Sequence, residues 1–366
     1  MKLKKPNKIY RTILYILFVS LLVIPSIVGV GITFFRLYSR EKTHNDTKIT
    51  GITSIESLEK ITLGDVEQWI LIRGEDRSNP VLLWLHGGPG RPTLPLATKH
   101  DSELIKHFVV VHWDQRGAGK SFSPEIPTSS MIMDQFVSDT IELTQILNER
   151  FNKQKLFLIG HSWGSKVGVL TVNQYPDLFH AFIGLGQSVY SADGDSIGFQ
   201  FALDRASSED NQKAIRQLEE IGPPPWTTSK QRSIYSRWIN KFGGTGINFT
   251  IQDYYREIIN SPNYSLQDIL NFFQGQQFTG KTVIKKGESE RVNLFEQAIQ
   301  LKIPIYFFQG RHDYNSPGEI VEKYYKELSA PEKTLIWFEN SAHFPQWEEP
   351  EKFAVELLKI KEITIE

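Results

Sequence analysis

Along the chain, short and uniformly apolar runs alternate with longer segments whose apolar residues recur at helical spacing. After a polar stretch at 36–50 come two strand-like segments, 52–62 and 66–73, parted by Gly64-Asp65, which predicts a hairpin. PVLLWLHGG (80–88) and HFVVVHWDQRG (107–117) then read as buried strands halted by glycine. Residues 131–150 carry Ile132, Phe136, Val137, Ile141, Leu143, Ile146 and Leu147 at mostly helical spacing. KLFLIG (155–160) predicts another strand, Ser165 to Gln174 its following helix, and HAFIGLGQ (180–187) a further strand. Between about 188 and 300 the rhythm lapses into helical patches, a rigid GPPPW (222–226) and a glycine-rich FGGTG (242–246). It resumes with IPIYFFQG (303–310) and KTLIWFE (333–339), and closes on a helix from about Glu349 to Lys361. Strands alternating with helices predict a mostly parallel sheet covered on both faces, an α/β fold interrupted by one insertion.

The amino terminus follows another pattern. Residues 12–35, TILYILFVSLLVIPSIVGVGITFF, carry no charge. A helix of that length spans about 36 Å, more than the roughly 30 Å of a bilayer's hydrocarbon core. Pro25 is tolerable there. Lys2, Lys4, Lys5, Lys8 and Arg11 precede the run, against Arg36, Arg40, Lys42 and Lys48 after it. That asymmetry predicts a single-pass anchor with the body of the chain outside the cytoplasm. A cleaved signal peptide fits less well, because the run exceeds the usual apolar length and only Gly29-x-Gly31 imitates a cleavage site. The expected organisation is a basic segment at 1–11, an anchor at 12–35, a linker at 36–50, core at 51–187, a helical cap at 188–300 and core again at 301–366.

Composition narrows the chemistry. With 40% apolar and 12% aromatic residues among 366, the chain has ample material for a packed core. A formal charge of −1 without a basic stripe in the body disfavours nucleic acid. The absence of cysteine removes thiolate zinc sites and cysteine nucleophiles, and the nine histidines show no His-Glu-x-x-His spacing. No metal or cofactor is expected.

Gly160-His161-Ser162-Trp163-Gly164 stands where a predicted strand turns into a helix. A nucleophile at such a turn projects from strained backbone, and side chains two residues to either side would collide. The pattern alone is weak; its strand-to-helix context is what gives it meaning. Ser162 needs a base, and the base an orienting carboxylate, in the chain order serine, acid, histidine. Asp313 in RHDYNSP and His343 in NSAHFPQWEEP each follow a predicted strand in that order. His312 precedes the acid and reads as a loop residue. HGGPG (86–90) supplies backbone N–H groups for an oxyanion, with Gly88 the expected donor beside Trp163 and Gly87 the competitor. WDQRGAGKS (113–121) ends in a phosphate-loop-like GKS, but position 114 is aspartate where that motif needs glycine. Asp114 and Arg116 are expected to pair with backbone or with each other.

With HGGPG, WDQRGAGKS, GHSWGS, and Asp313 and His343 in order, the chain resembles the α/β-hydrolase superfamily, and within it the proline iminopeptidase family of serine peptidases. The match covers roughly 50–187 and 300–366. The resemblance implies Ser162 as nucleophile, His343 as base, Asp313 as its orienter, Gly88 and Trp163 as oxyanion donors, and no cofactor. It also implies cap carboxylates that hold the substrate's free amino group. Glu219, beside Glu220, and Asp253 with Glu257 on one helical face are the candidates, against the commoner reading of solvated charges. The expected substrate is a small peptide or small acyl compound. Two rival readings remain: an esterase on the same triad, separable by turnover of aminoacyl arylamides against short esters, and a non-catalytic binding protein, separable by a serine-reactive probe.

Overall fold

The computed structural model describes residues 8–365. Eight strands form one sheet: β1 (Ile55–Leu63), β2 (Val66–Gly74), β3 (Val81–Leu85), β4 (Val109–Asp114), β5 (Leu156–His161), β6 (Phe179–Leu185), β7 (Ile305–Gly310) and β8 (Lys333–Phe338). Their spatial order is β1-β2-β4-β3-β5-β6-β7-β8. β2 runs antiparallel to both β1 and β4, and every other pairing is parallel. The hairpin turns at Gly64 (φ 50°) and Asp65 (φ 61°), the paired left-handed conformations that a two-residue turn of this twist requires.

The apolar runs are continuous because both faces of each central strand are buried. In β3, Val81, Leu83 and Leu85 enter one core and Leu82 and Trp84 the other. Helices Met133–Arg150, Trp163–Gln174 and Gly318–Glu327 contribute to the first core, and helix Pro350–Ile365 to the second. The sheet is thus covered on both sides, as periodicity predicts.

Strand order reverses at β3: β4 lies on one side of it and β5 on the other. The loops after β3 and β5 therefore open side by side at the carboxyl edge, where sheets of this kind place their sites. Between β6 and β7 the chain forms helices Ser191–Ser208, Gln212–Ile221, Ser229–Lys241, Ile251–Asn260 and Leu266–Thr279. Phe199, Trp226, Tyr235 and Trp238 make a core of their own there, while Tyr254 and Phe272 pack with Leu94 and Phe344 of the sheet's loops.

The apolar run 12–35 corresponds to three helical pieces rather than one. Helix Lys8–Phe18 is followed by a π-helical turn, Val19–Val23, and by helix Ile24–Asp46. Among the described residues no helix is long and apolar enough to cross a membrane. The first piece is only 11 residues long, and the third carries charge through its second half. The single spanning helix expected at 12–35 therefore lacks support. Lys2, Lys4 and Lys5, in the basic segment that orients it, lie outside the described residues. The third helix is fixed to the body: buried Arg36 donates to the carbonyls of Ile259 and Tyr264, both at 2.7 Å, and Arg40 to Pro262 O at 2.7 Å.

Candidate active site

Ser162 sits between β5 and helix Trp163–Gln174 with φ 53° and ψ −117°, a backbone state that non-glycine residues adopt only under constraint. The flanking glycines follow from the packing. A Cβ on Gly160 would lie 2.5 Å from Gly164 O, and one on Gly164 would strike Leu85 O and stand 2.6 Å from His86 O. The β5 turn thus crosses directly over the end of β3, and only hydrogen fits between them.

That crossing brings HGGPG to the serine. A Cβ on Gly87 would stand 3.2 Å from Ser162 Cβ, so this loop touches the turn. Gly88 adopts φ 117°, open to glycine and strained for other residues. Trp163 opens its helix, so its N–H belongs to the first turn, which has no intrahelical acceptor. Its ring is buried edge-on against Phe136. Gly87 and Gly88 both line the cavity above Ser162.

His343 Nδ1 lies 2.8 Å from Asp313 Oδ2. The carboxylate is held from behind: Oδ1 accepts the N–H groups of Asn315 at 2.9 Å and Ser316 at 2.8 Å, and Gln309 Nε2 donates to Oδ2 at 3.2 Å. Donation from Nδ1 to that carboxylate leaves Nε2 as the acceptor. Asn315 Nδ2 stands 3.1 Å from that Nε2. Ser162, His343 and Asn315 line one cavity of about 280 Å³, at the small end for ligand pockets.

Several supporting residues escaped sequence reasoning. His86 is buried, and desolvation lowers its pKa to about 4, so the ring is neutral. Its Nδ1 donates to Gly87 O at 2.8 Å and its Nε2 accepts from Gln115 N at 3.1 Å, tying the glycine loop to the loop after β4. His161, between Gly160 and Ser162, is likewise held neutral, chiefly by burial, and donates from Nε2 to His343 O at 2.8 Å. The signal for both was their place inside a motif, which reads as filler until the loops are seen to need tying. Glu348 completes the frame, accepting from Ala342 N at 2.7 Å and Asn248 N at 2.9 Å, and so joins the His343 loop to the insertion.

Asp114 and Arg116 do not pair with each other. Arg116 forms a fully buried double contact with Asp139, both bonds at 2.9 Å, and donates to Leu63 O and Gly64 O. Asp114 accepts from Lys120 N at 2.9 Å and from the Tyr264 hydroxyl, and burial pushes its carboxyl up to about 7. Asp139 was missed because it lies on the buried face of a helix read only for apolar spacing.

The three candidate amine-binding acids lie elsewhere. Glu219 is exposed on helix Gln212–Ile221. Asp253 caps its own helix through Thr250 and pairs with Arg256 at 2.6 Å. Glu257 is engaged by Lys99 and His100 at 2.5 and 2.6 Å. None lines the Ser162 cavity, and among the described residues neither does any other acid. Two further acids of the insertion, Asp195 and Glu290, are already bound to Arg232, at 3.5 and 2.7 Å.

Comparison with known proteins sets this geometry in context. The family described as "Serine aminopeptidase, S33" matches residues 105–203. A probable aminopeptidase of Bacillus subtilis (strain 168), YbaC, is 38% identical over 305 residues, which are 82% of this chain and 95% of that protein. The proline iminopeptidase of Heyndrickxia coagulans is 28% identical over 280 residues, 75% of this chain and 87% of its own. Among solved structures, proline iminopeptidase from Mycobacterium smegmatis shares the fold with TM-score 0.58 at 17% identity, over 83% of this chain and 97% of that one.

Proposed function

We propose, since the chain belongs to the serine aminopeptidase (S33) family of proline iminopeptidase-like α/β-hydrolases, that it transfers acyl groups through Ser162, His343 and Asp313. The protein is a serine hydrolase of aminopeptidase-like type. In the proposed cycle Ser162 Oγ attacks a carbonyl carbon while His343 Nε2 takes its proton. The N–H groups of Gly88 and Trp163 receive the carbonyl oxygen as it becomes an anion. Collapse breaks the bond to the leaving group, which departs with the proton from His343. Water then enters and attacks the acyl carbon, giving a proton to His343, which passes it to Ser162 Oγ as the Oγ–acyl bond breaks and the acid leaves. Asn315 has to surrender Nε2 before the serine can use it; catalytic hydrogen bonds often tighten only in the complex. The observation that carries this reading is the 2.8 Å contact of His343 with Asp313 in the same cavity wall as a serine at positive φ.

Aminopeptidase action on small peptides is the finer proposal, and it rests on the relatives' names. Its test compares proline and alanine arylamides, free and N-acetylated, with short acyl esters. A preference of about tenfold or more for the free amine, roughly 1.4 kcal/mol in transition-state binding, supports it. Equal rates favour a small-acyl esterase, the second reading, which the lack of acids along the cavity among the described residues also supports.

Membrane attachment through the amino-terminal helices is likewise proposed. Its support is the exposure of Ile9, Ile13, Tyr15, Ile16, Phe18, Leu21 and neighbouring apolar residues, which nothing in the chain covers among the described residues. Sedimentation with membranes that resists a carbonate wash, lost on deleting residues 1–35, is the expected result; full recovery in the soluble fraction contradicts it.

A further inference from the structure

Among the described residues no acid lines the Ser162 cavity, but the side chain of Arg91, the residue that follows HGGPG, does. It hangs from the same loop as Gly88. Its N–H donates to Gly87 O at 3.1 Å, closing a one-residue bridge that fixes where the side chain starts. We infer that Arg91 is the specificity-determining residue of this cavity and receives a carboxylate carried by the substrate. This rests on the acyl-transfer reading above.

The case is one of charge left unmatched. Arg91 has no ion pair or side-chain hydrogen bond among the described residues; the groups that feel its charge are His161 and Tyr254. Both are walls of the cavity, and neither offsets a cation. His161 is neutral for want of solvation, and burial raises the Tyr254 hydroxyl far above its ordinary pKa, so it stays protonated while donating to Pro92 O at 3.0 Å. The acids of the insertion are satisfied elsewhere, as described. A second donor faces the same space: Gln276 lines the cavity and its Nε2 is buried with no partner. A half-buried guanidinium fork beside an unpartnered amide N–H suits a planar, two-oxygen anion, and leaving that amide unpaired carries a cost that a substrate carboxylate would remove. The small cavity limits the distance between that carboxylate and the carbonyl under attack. The carboxylate has two sources: the free carboxyl terminus of a dipeptide, which leaves with the amine, or an acidic group on the acyl part.

Matched substrates separate these sources. One arm compares dipeptides with their carboxyl-terminal amides. The other compares aryl esters of a dicarboxylic acid, its second carboxylate free, with the same esters methyl-capped. In the wild-type enzyme we expect kcat/KM to favour the carboxylate by about tenfold or more in one arm, which assigns the side on which Arg91 acts. Arg91→Gln should bring that ratio close to one, and Arg91→Lys should keep part of it, because a point charge replaces a fork. The ratio is read within each variant, so a loss of folded enzyme cancels. A wild-type ratio of one or less in both arms, or an unchanged ratio in Arg91→Gln, overturns the inference. A second measurement needs no variant: short monocarboxylates should inhibit hydrolysis of a neutral aryl ester competitively and more strongly than their amides, less so at high salt. Equal inhibition by acid and amide overturns it as well. If Ser162→Ala still turns over substrate, the acyl-transfer reading fails instead, and the two failures are distinct.

Discussion

The carboxyl edge of the sheet and the helical insertion above it contribute to one cavity by different rules. On the sheet side, geometry follows from backbone. Gly160 and Gly164 let β5 turn across the end of β3, Ser162 takes the strained position that results, and Asp313 is held by two N–H groups of its own loop. On the insertion side, Ile251, Tyr254, Gln276 and Ile284 reach the cavity from helices and turns whose charged residues serve local needs. Asp253 caps a helix and Glu257 is held by Lys99 and His100. Chemistry that backbone dictates leaves a motif; chemistry that side-chain packing dictates leaves almost none.

Four perturbations sharpen that contrast. Substitution on the sheet side should be most severe in activity: His343→Ala and Asp313→Asn should each lower kcat/KM by about 10⁴-fold, since such residues act as a unit. His312→Ala should change it little; equal damage there would place the base wrongly. Next in size is Gly164→Ala, whose methyl group in the first turn of helix Trp163–Gln174 meets Leu85 O at the end of β3. Backbone on both sides cannot give way, so a loss of about 3 kcal/mol or more in unfolding free energy is expected, read from denaturant melts. An unchanged midpoint would mean that the turn is looser than its geometry implies.

The loop tie at His86 sets a third effect of similar scale. Its pKa falls from 6.5 in the unfolded chain to about 4, so between those values the unfolded state binds more protons and stability drops as pH falls. Buried Asp114, pushed up to about 7, slopes the opposite way, losing stability as pH rises from about 4 to 7. Total stability therefore mixes the two, and a variant isolates one. The advantage of wild type over His86→Gln should shrink by about 3 kcal/mol between pH 7 and pH 4, with the order of magnitude set by the shift. A pH-independent difference would show that His86 takes up its proton in the fold as readily as in the unfolded chain. The smallest effects belong to the insertion: Asp253→Asn and Glu257→Gln should alter kcat/KM by about twofold or less, since exposed or partly exposed pairs are worth little. A tenfold loss in either would return an amine-binding role to these acids.

Much of the sheet was legible because strands buried on both faces advertise themselves as unbroken apolar runs, and the hairpin because Gly64-Asp65 can take two left-handed residues. Ser162, Asp313 and His343 were legible as candidates because each follows a strand end, and the fold delivers strand ends to one edge. Asn315, His86 and His161 were not, since each meets a backbone group or ring nitrogen of a loop distant in sequence, Gln115 N for His86 and His343 for the other two. The amino-terminal run is subdivided in a way that apolarity alone does not signal. Apolarity over 24 residues reads as one helix, whereas a π turn at Val19–Val23 divides it. Arg91 was passed over because a residue next to a glycine motif carries no spacing signal.

The central claim is that the strained turn presents Ser162 as a nucleophile activated by His343. The most direct test is labelling of the full chain with a fluorophosphonate, with the adduct mapped by peptide mass spectrometry. The account predicts one phosphonylated residue, Ser162, labelled slowly or not at all in His343→Ala, and no adduct in Ser162→Ala when its melting curve matches wild type. An adduct on another residue, or labelling that persists in Ser162→Ala, would contradict it.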